Sequence, residues 1–168
     1  MGFARKILLS GVIAGFFLSS SVVTTVNAAP KIEKLVIYQD APVFLQNDKI
    51  VQIGELGSVL YFEGKLRDLS GKEIGRVSGH ITVTDVSPYS AKNKSRYREL
   101  VFQLPGGQII ALGAANYDKK MITRFEDGNA PVTIAIVGGT GKYRSAKGEV
   151  VTTKPGFGIY RHAITLDR

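Results

Sequence analysis

The sequence predicts an all-β fold, a single eight-stranded antiparallel β-barrel, and three observations support it. Apolar and polar residues alternate over short runs, Gly, Pro, Asn and Asp bound these runs, and no window of 11 or more residues keeps a helical period without Gly or Pro. Short antiparallel strands joined by tight turns favour a closed barrel, because closure removes exposed sheet edges. A β-sandwich is the second structural interpretation.

Eight strands follow from this alternation, and turn residues separate several of them. Pro105-Gly106-Gly107 is a tight hairpin signal between the fourth and fifth strands, because Gly supplies the positive φ that such turns need. Residues 41–57 do not alternate cleanly and form either a long loop over one barrel end or an extra hairpin. The strands are predicted at residues 32–39, 58–67, 74–86, 96–104, 108–117, 131–137, 147–154 and 158–167.

Strand parity predicts which side chains share a face. In the second strand Phe62 and Leu66 point to one side while Tyr61 points to the other, and in the last strand His162 shares a face with Ile164. Most strands therefore have one apolar face and one mixed face. The interior of an eight-stranded barrel is either packed with side chains or just wide enough for one small ligand.

The N-terminal segment is typical of a cleavable signal peptide covering residues 1–28. Arg5 and Lys6 form a short basic region, residues 7–18 are mostly apolar, and a small residue precedes the expected cut. An uncleaved membrane anchor fits less well, because a spanning helix needs about 20 apolar residues and this run ends sooner in Ser and Thr. We therefore expect an exported protein, periplasmic or extracellular, without a stable membrane anchor, whose single domain is residues 29–168.

Composition excludes several classes of chemistry and partner. The chain has no Cys, so disulfides, thiolate metal sites and a Cys nucleophile are excluded. The net charge is +8 for the whole chain and +6 without the signal segment, which holds two cations and no acid. The densest basic cluster is interpreted as one solvated loop, a poor electrostatic footprint for nucleic acid, so no nucleic-acid partner is expected. That cluster consists of Lys92, Lys94, Arg96 and Arg98.

A glycine-rich string at residues 136–148 invites a nucleotide-binding interpretation but does not fit it. The P-loop needs a Gly five residues before Gly141, where this chain has Ile136, and a Ser or Thr where it has Tyr143. The dinucleotide fingerprint needs a strand, a glycine-rich turn and a helix, whereas the residues after Gly141 are predicted as strands. The string is therefore interpreted as a sharp turn between two strands.

The same string closely resembles the glycine-rich signature of the dirigent and allene oxide cyclase barrel superfamily. It has Val-Gly-Gly-Thr-Gly at residues 137–141, then an aromatic residue, an Arg, an Ala, a basic residue and a Gly. Residues 65–71 and 74–79 resemble that family's strand, turn and Gly-x-x-x-Gly strand. The resemblance covers residues 32–167. It implies an eight-stranded barrel with a ligand cavity, assembled as a homotrimer, acting without metal or nucleotide cofactor on a small hydrophobic or phenolic molecule whose stereochemistry it steers.

Site residues carry over from this family only in part. The dirigent group has an aromatic residue and an acid close together on the first strand, and Tyr38 and Asp40 occupy similar positions here. Arg144 matches the signature Arg, while Lys147 replaces the usual second Arg. The cyclase branch uses Glu-x-Asn near the first strand and a pocket Cys, and this chain has Tyr38-Gln39-Asp40 and no Cys. This departure argues against allene oxide cyclase activity itself.

Two carboxylates are the catalytic candidates. Asp40 is placed to polarise a phenol or quinone inside the barrel, or else it is a strand-end Asp before a turn. Glu63 is either a buried acid or half of a solvated ion pair. No metal site is expected, because neither His80 nor His162 has a metal-like partner spacing, and each can instead be a satisfied or exposed strand residue. The ligand-binding candidates are Tyr38, Tyr61, His80, Arg144 and Tyr160.

Three functional hypotheses follow from these residues. The protein is a non-catalytic or stereo-directing barrel that binds a small apolar or phenolic molecule, a cofactor-free isomerase or cyclase of the same family, or a purely structural or interaction barrel with a filled interior. An enzyme needs an acid or base converging with aromatic side chains in a water-excluding pocket, a carrier needs only the apolar pocket, and a structural barrel needs neither.

The assignment of Asp40 predicts that Asp40→Ala leaves folding intact and weakens any ligand-directed activity, because the carboxylate would act on the ligand rather than on the fold. Circular dichroism checks the folding, and a binding or turnover assay checks the activity. Unchanged binding together with unchanged activity would remove Asp40 from the site.

Overall fold

The fold is a closed antiparallel β-barrel with almost no helix. The computed structural model describes residues 31–44, 56–85, 93–118, 131–156 and 158–167. Each of the eight predicted strands is present, with one short additional strand. The elements are β1 (Ile32–Gln39), β2 (Val43–Phe44), β3 (Val59–Arg67), β4 (Glu73–Asp85), β5 (Asn93–Leu104), β6 (Gly107–Asp118), β7 (Val132–Gly139), a 3₁₀ turn (Gly141–Tyr143), β8 (Lys147–Gly156) and β9 (Ile159–Asp167).

The sheet closes where β1 lies between β9 and β3. Its strands follow the order β1-β9-β8-β7-β6-β5-β4-β3-β2, and β1 also pairs with β3 through Tyr38↔Arg67 and Gln39↔Leu66. The predicted barrel is therefore confirmed, and the β-sandwich is wrong. The unclear segment 41–57 contains β2, which continues along β3 after β1, and its residues 45–55 lie outside the described residues.

The apolar half of the interior follows the predicted strand parity. Phe62 is 4% exposed, whereas its neighbour Tyr61 is 52% exposed on the outer wall. Burial of these alternate apolar side chains stabilises the barrel through the hydrophobic effect. The fully buried large apolar residues are Leu66, Val77, Leu100, Phe102, Ile109, Val150, Ile164 and Leu166.

The glycine-rich string forms a clasp, by which we mean residues 138–146 folded against the β5–β6 turn. The Thr140 amide donates to the Gln108 carbonyl at 2.9 Å, and the Lys142 amide donates to the Gly106 carbonyl at 2.8 Å. Gly141 has φ +58°, and a Cβ on it would lie 2.1 Å from the Gly106 oxygen. The predicted sharp turn is thus confirmed, and the close approach of two backbones is the reason for Gly141.

No helix in the described ranges is long and apolar enough to cross a membrane.

Gly141→Ala tests whether the clasp depends on this close approach. Gly71 is a matched control, because it also has a positive φ of +84° but has open space around its Cβ position. We expect Gly71→Ala to lower the free energy of unfolding by roughly 1 kcal/mol, from backbone strain alone. Gly141→Ala should cost about 3 kcal/mol, since the backbone must also shift. Urea unfolding measures both, and equal losses would contradict the clasp.

Candidate functional site

Polar side chains converge inside the barrel on the part of the interior that the apolar core leaves. They come from β1, β5, β8 and β9, and β5 lies opposite β9 in the closed sheet. All five are less than a tenth exposed, so water does not solvate them as it would on a surface. The buried polar or charged residues among those the structure describes are Gln39, Arg96, Arg98, Thr152 and His162.

His162 is the centre of a hydrogen-bonded chain across three strands. Its Nε2 lies 2.9 Å from Oε1 of Gln39, and its Nδ1 lies 3.0 Å from Oγ1 of Thr152. An amide oxygen only accepts, so Nε2 carries the proton and donates to Gln39, while the Thr152 hydroxyl donates to Nδ1. Both ring nitrogens are therefore satisfied in one neutral tautomer.

Burial keeps this imidazole uncharged. Burial and, second, the positive charge of Arg98 lower the pKa of His162 from 6.5 to about 3. The ring of Phe102 meets the His162 ring edge-on, with the centroids 5.1 Å apart and the planes at 77°. Because β5 lies opposite β9 in the strand order, this contact crosses the barrel interior.

Gly64 on β3 makes room for Gln39. A Cβ on Gly64 would lie 2.9 Å from Nε2 and 3.0 Å from Cγ of the Gln39 side chain. Residue 64 therefore has to be small for the glutamine to reach inward to His162. Where β3 closes the barrel against β1, the missing side chain of Gly64 thus leaves the space that the Gln39 side chain occupies.

The prediction that Arg96 and Arg98 belong to a solvated loop is wrong. Both lie in β5, and each residue is only 7% exposed. Their strand parity is that of Leu100 and Phe102, which are fully buried, so the arginines point to the same interior face. The composition-based interpretation overlooked this alternation, although the predicted strand 96–104 already contained both residues.

Arg96 and Arg98 place two positive charges in the barrel interior. The buried residues in the described ranges include no Asp or Glu. The Nε atom of Arg98, and the Nε and Nη2 atoms of Arg96, are buried and have no hydrogen-bond partner there. A buried cation is costly unless an opposite charge or a hydrogen-bond acceptor compensates it.

Asp40 lies at the seam between β1 and β3, where it pairs with Arg67. Arg67 Nη2 donates to Oδ2 of Asp40 at 2.7 Å, and Arg67 Nε donates to both carboxylate oxygens at 2.9 and 3.0 Å. These hydrogen bonds hold the pKa of Asp40 below its usual value. The side chains are 38% and 36% exposed, and Asp40 has the strand parity of the outer wall.

The other predicted site residues are distributed over the outer wall, with one exception. Glu63 forms an exposed ion pair with Arg76 at 2.9 Å. Tyr61 and His80 are brought together, with ring centroids 5.7 Å apart, on that wall. Tyr160 alone shares the strand parity of His162.

Tyr38 and Arg144 lie away from the interior. Tyr38 is half-buried on the face of β1 opposite Ile37 and Gln39, and Arg144 is exposed beside the 3₁₀ turn. No structural observation tests the roles assigned to these residues, so those roles stay predictions.

Sequence reasoning missed most of the interior polar residues as a site. Strand parity places His162 on the apolar face, and its two partners come from β8 and β1, the strands paired on either side of β9. A polar residue at an interior position of a strand is the signal that could have found the others. Gln39 lies two residues after the buried Ile37, and Arg98 lies two residues before the buried Leu100, so each pair shares the interior face of its strand.

In the described ranges, no group of three His, Cys, Asp or Glu side chains is arranged to hold a metal ion.

The lowered pKa of His162 predicts a pH-dependent stability. In the unfolded chain the imidazole takes up its proton near pH 6.5, while in the folded protein it does so only near pH 3. The stabilisation from the neutral His162 is fully present above pH 6.5. Below pH 6.5 the free energy of unfolding should fall, by up to about 1.4 kcal/mol per pH unit.

Urea unfolding between about pH 5 and pH 6.5, above the range where carboxylates titrate, measures this slope. His162→Gln should flatten it, whereas the outer-wall variant His80→Gln should keep it. A slope that survives in His162→Gln would contradict the assignment.

Comparison with known proteins places this barrel among its relatives. Residues 26–156 match the family model "Allene oxide cyclase barrel like domain". A search of curated proteins finds no match.

Three similar solved structures illustrate the fold. A pyocyanin demethylase is 26% identical, with a TM-score of 0.59, covering 81% of this chain and 99% of that one. An exo-specific intermolecular Diels–Alderase is 19% identical, with a TM-score of 0.62 and coverages of 82% and 99%. A pterocarpan synthase dirigent protein is 18% identical, with a TM-score of 0.57 and coverages of 84% and 87%. Because the family match spans most of the chain and the closed barrel agrees with it, the protein belongs to the allene oxide cyclase barrel-like family.

Proposed function

We propose that the protein is an exported barrel that binds one small apolar or phenolic molecule in its interior and steers the stereochemistry of that molecule. The observation that carries the proposal is the buried polar group opposite Phe102. A barrel with a purely structural interior gains nothing from burying polar side chains, since each costs free energy unless it is compensated. Such groups are typical of binding sites, where a few polar contacts orient a ligand among apolar walls.

The chemistry of the interior favours positioning over acid–base catalysis. His162 holds its proton on Nε2, and both of its ring nitrogens are already engaged, by Gln39 and Thr152. A donor that remains for a ligand is the buried Nε–H of Arg98, on the same face of β5 as Phe102. Holding a reactive molecule in one orientation and excluding water from it can itself select one product.

The relatives support a small-molecule ligand. Their names describe a demethylase that acts on pyocyanin, a Diels–Alderase and a pterocarpan synthase. These names make a cofactor-free isomerase or cyclase the second candidate for this chain. An isomerase or cyclase would convert its ligand into a product, whereas a binding barrel would release the ligand unchanged.

Export and a homotrimeric assembly are part of the same proposal. Export is supported by the basic and apolar segments within residues 1–28. The trimer is supported by the family resemblance. Apolar side chains on the outer wall, such as Val137 at 52% exposure, would be covered in such an assembly.

Native mass spectrometry of the protein from its exported fraction tests the proposal first. We expect subunits that begin at residue 29, in complexes of three, with a co-purified organic molecule. A subunit mass that retains residues 1–28 would contradict export, and a monomer would contradict the assembly.

A direct binding assay tests the interior site. The neutral probe 2-naphthamide should bind the purified protein at one molecule per barrel, read by its fluorescence anisotropy, and the absence of Trp leaves this signal unobscured. Ala115→Leu adds bulk at a buried position of β6 and should weaken binding at least about 10-fold, or 1.4 kcal/mol.

Ala135→Leu is the matched control, because Ala135 is exposed on the outer face of β7. It should bind the probe as the unchanged protein does. Thermal unfolding confirms that both variants fold. If neither a co-purified molecule nor probe binding is found, the structural-barrel hypothesis replaces this proposal.

A further inference from the structure

Arg98 lies inside the barrel beside apolar side chains, and Arg96 shares its strand face. Across the neighbouring strands Arg98 is paired with Ile81 and Gly113, and Arg96 is paired with Val83 and Ala115. These flanking positions carry apolar side chains or none. The sequence therefore places two guanidinium groups inside an apolar wall. The flanking pairs are Arg98↔Ile81, Arg98↔Gly113, Arg96↔Val83 and Arg96↔Ala115.

Arg98 is the better defined of the two. Its Nε atom is buried without a hydrogen-bond partner, and no hydrogen bond joins its side chain to a residue that the structure describes. Arg96 makes a further contact of its own, but its Nε and Nη2 atoms also lack a hydrogen-bond partner in the described ranges. The Nε–H of Arg98 is thus available to an acceptor.

Three acids of the chain form ion pairs outside the barrel interior. Asp40 pairs with Arg67, Glu63 with Arg76 and Glu73 with Lys65, and each of these side chains is at least one-third exposed. The interior cations therefore stay uncompensated by these acids. The lowered pKa of the neighbouring His162 fits this picture, since the charge of Arg98 disfavours a second cation there.

We propose that the bound molecule carries an anionic oxygen group, a carboxylate, phenolate or enolate, and that Arg98 binds this group inside the barrel. The inference rests on the proposed function and names the class of its ligand. A guanidinium presents a planar fork of donors that matches two oxygen acceptors, and such charge-assisted bonds are strong where water is excluded. The anion supplies the charge that the interior lacks.

This anchor also defines an orientation. The anionic end lies at β5, and the neutral imidazole and Phe102 then face the remainder of the molecule. One charged contact on one side of the barrel leaves a single end-to-end direction for an asymmetric ligand. Stereochemical control of a reactive molecule requires such a fixed direction.

A matched pair of probes separates this inference from the proposed function. 2-Naphthoate and 2-naphthamide have the same ring system, and only the first is anionic. The unchanged protein should bind 2-naphthoate about 10- to 100-fold more tightly, as expected for a charge-assisted pair. Arg98→Met should remove that preference and keep 2-naphthamide affinity within about twofold.

Arg76→Met is the matched control. It removes the same charge from β4, but Arg76 is exposed, so the preference for 2-naphthoate should persist. Titrations with and without chloride identify a small inorganic anion as a competitor, which should weaken 2-naphthoate alone. In the unchanged protein, the NMR signal of the Arg98 Nε–H should move with 2-naphthoate and stay with 2-naphthamide.

The outcomes divide cleanly. Equal affinities for the two probes, or a preference that survives in Arg98→Met, would overturn the anion site and leave the proposed function standing. A large loss of Tm in Arg98→Met would assign the arginine a structural role and would also overturn it. Binding of neither probe would overturn the proposed function and this inference together.

Discussion

Closure of the sheet at the seam between β1 and β3 is the constraint on which the rest of the molecule depends. β1 pairs with β3 through Tyr38↔Arg67 and Gln39↔Leu66, and the Asp40 amide donates to the Lys65 carbonyl at 3.0 Å. This seam turns an open sheet into a barrel, and only a barrel brings β5 opposite β9. Without closure, Phe102 on β5 would not meet His162 on β9, and Arg98 would face water.

The barrel wall separates exposed ion pairs on its outside from two buried arginines on its inside. Carboxylates and their arginine or lysine partners occupy the outside, while two guanidinium groups lie within. An exposed ion pair contributes little to stability because water screens it, whereas an uncompensated charge in the interior costs free energy. A protein that keeps such charges inside gives up stability for interaction with something else. The net charge of the chain conceals this arrangement, since it counts both sides of the wall alike.

Alternation made the fold predictable from the sequence, and long-range pairing made much of the site unpredictable. The eight strands and their faces follow from neighbouring residues, so a local pattern suffices. The His162–Gln39 contact joins residues 123 positions apart, and it depends on the pairing of the first long strand with the last, in which Ile37 lies opposite His162. The interior position of Arg96 and Arg98 was predictable, because both share the face of Leu100 and Phe102 in the predicted strand 96–104. A cluster of cations favours a solvated loop when composition alone is considered, whereas strand parity places both arginines inside the barrel.

The clasp carries a consequence for how this scaffold can diversify. Along β6, Gly107 at the clasp and Gly113 beside Arg98 are six residues apart in the register, a separation of about 20 Å in a strand. The most recognisable stretch of the sequence therefore belongs to the end of the barrel that maintains its shape, and the ligand-facing positions of β5 lie far from it. Descendants of one ancestral barrel could exchange those positions and acquire new ligands while the glycine string stayed unchanged. Membership of the family, as read from that string, is thus a record of shared architecture and leaves the chemistry of each member open to separate selection.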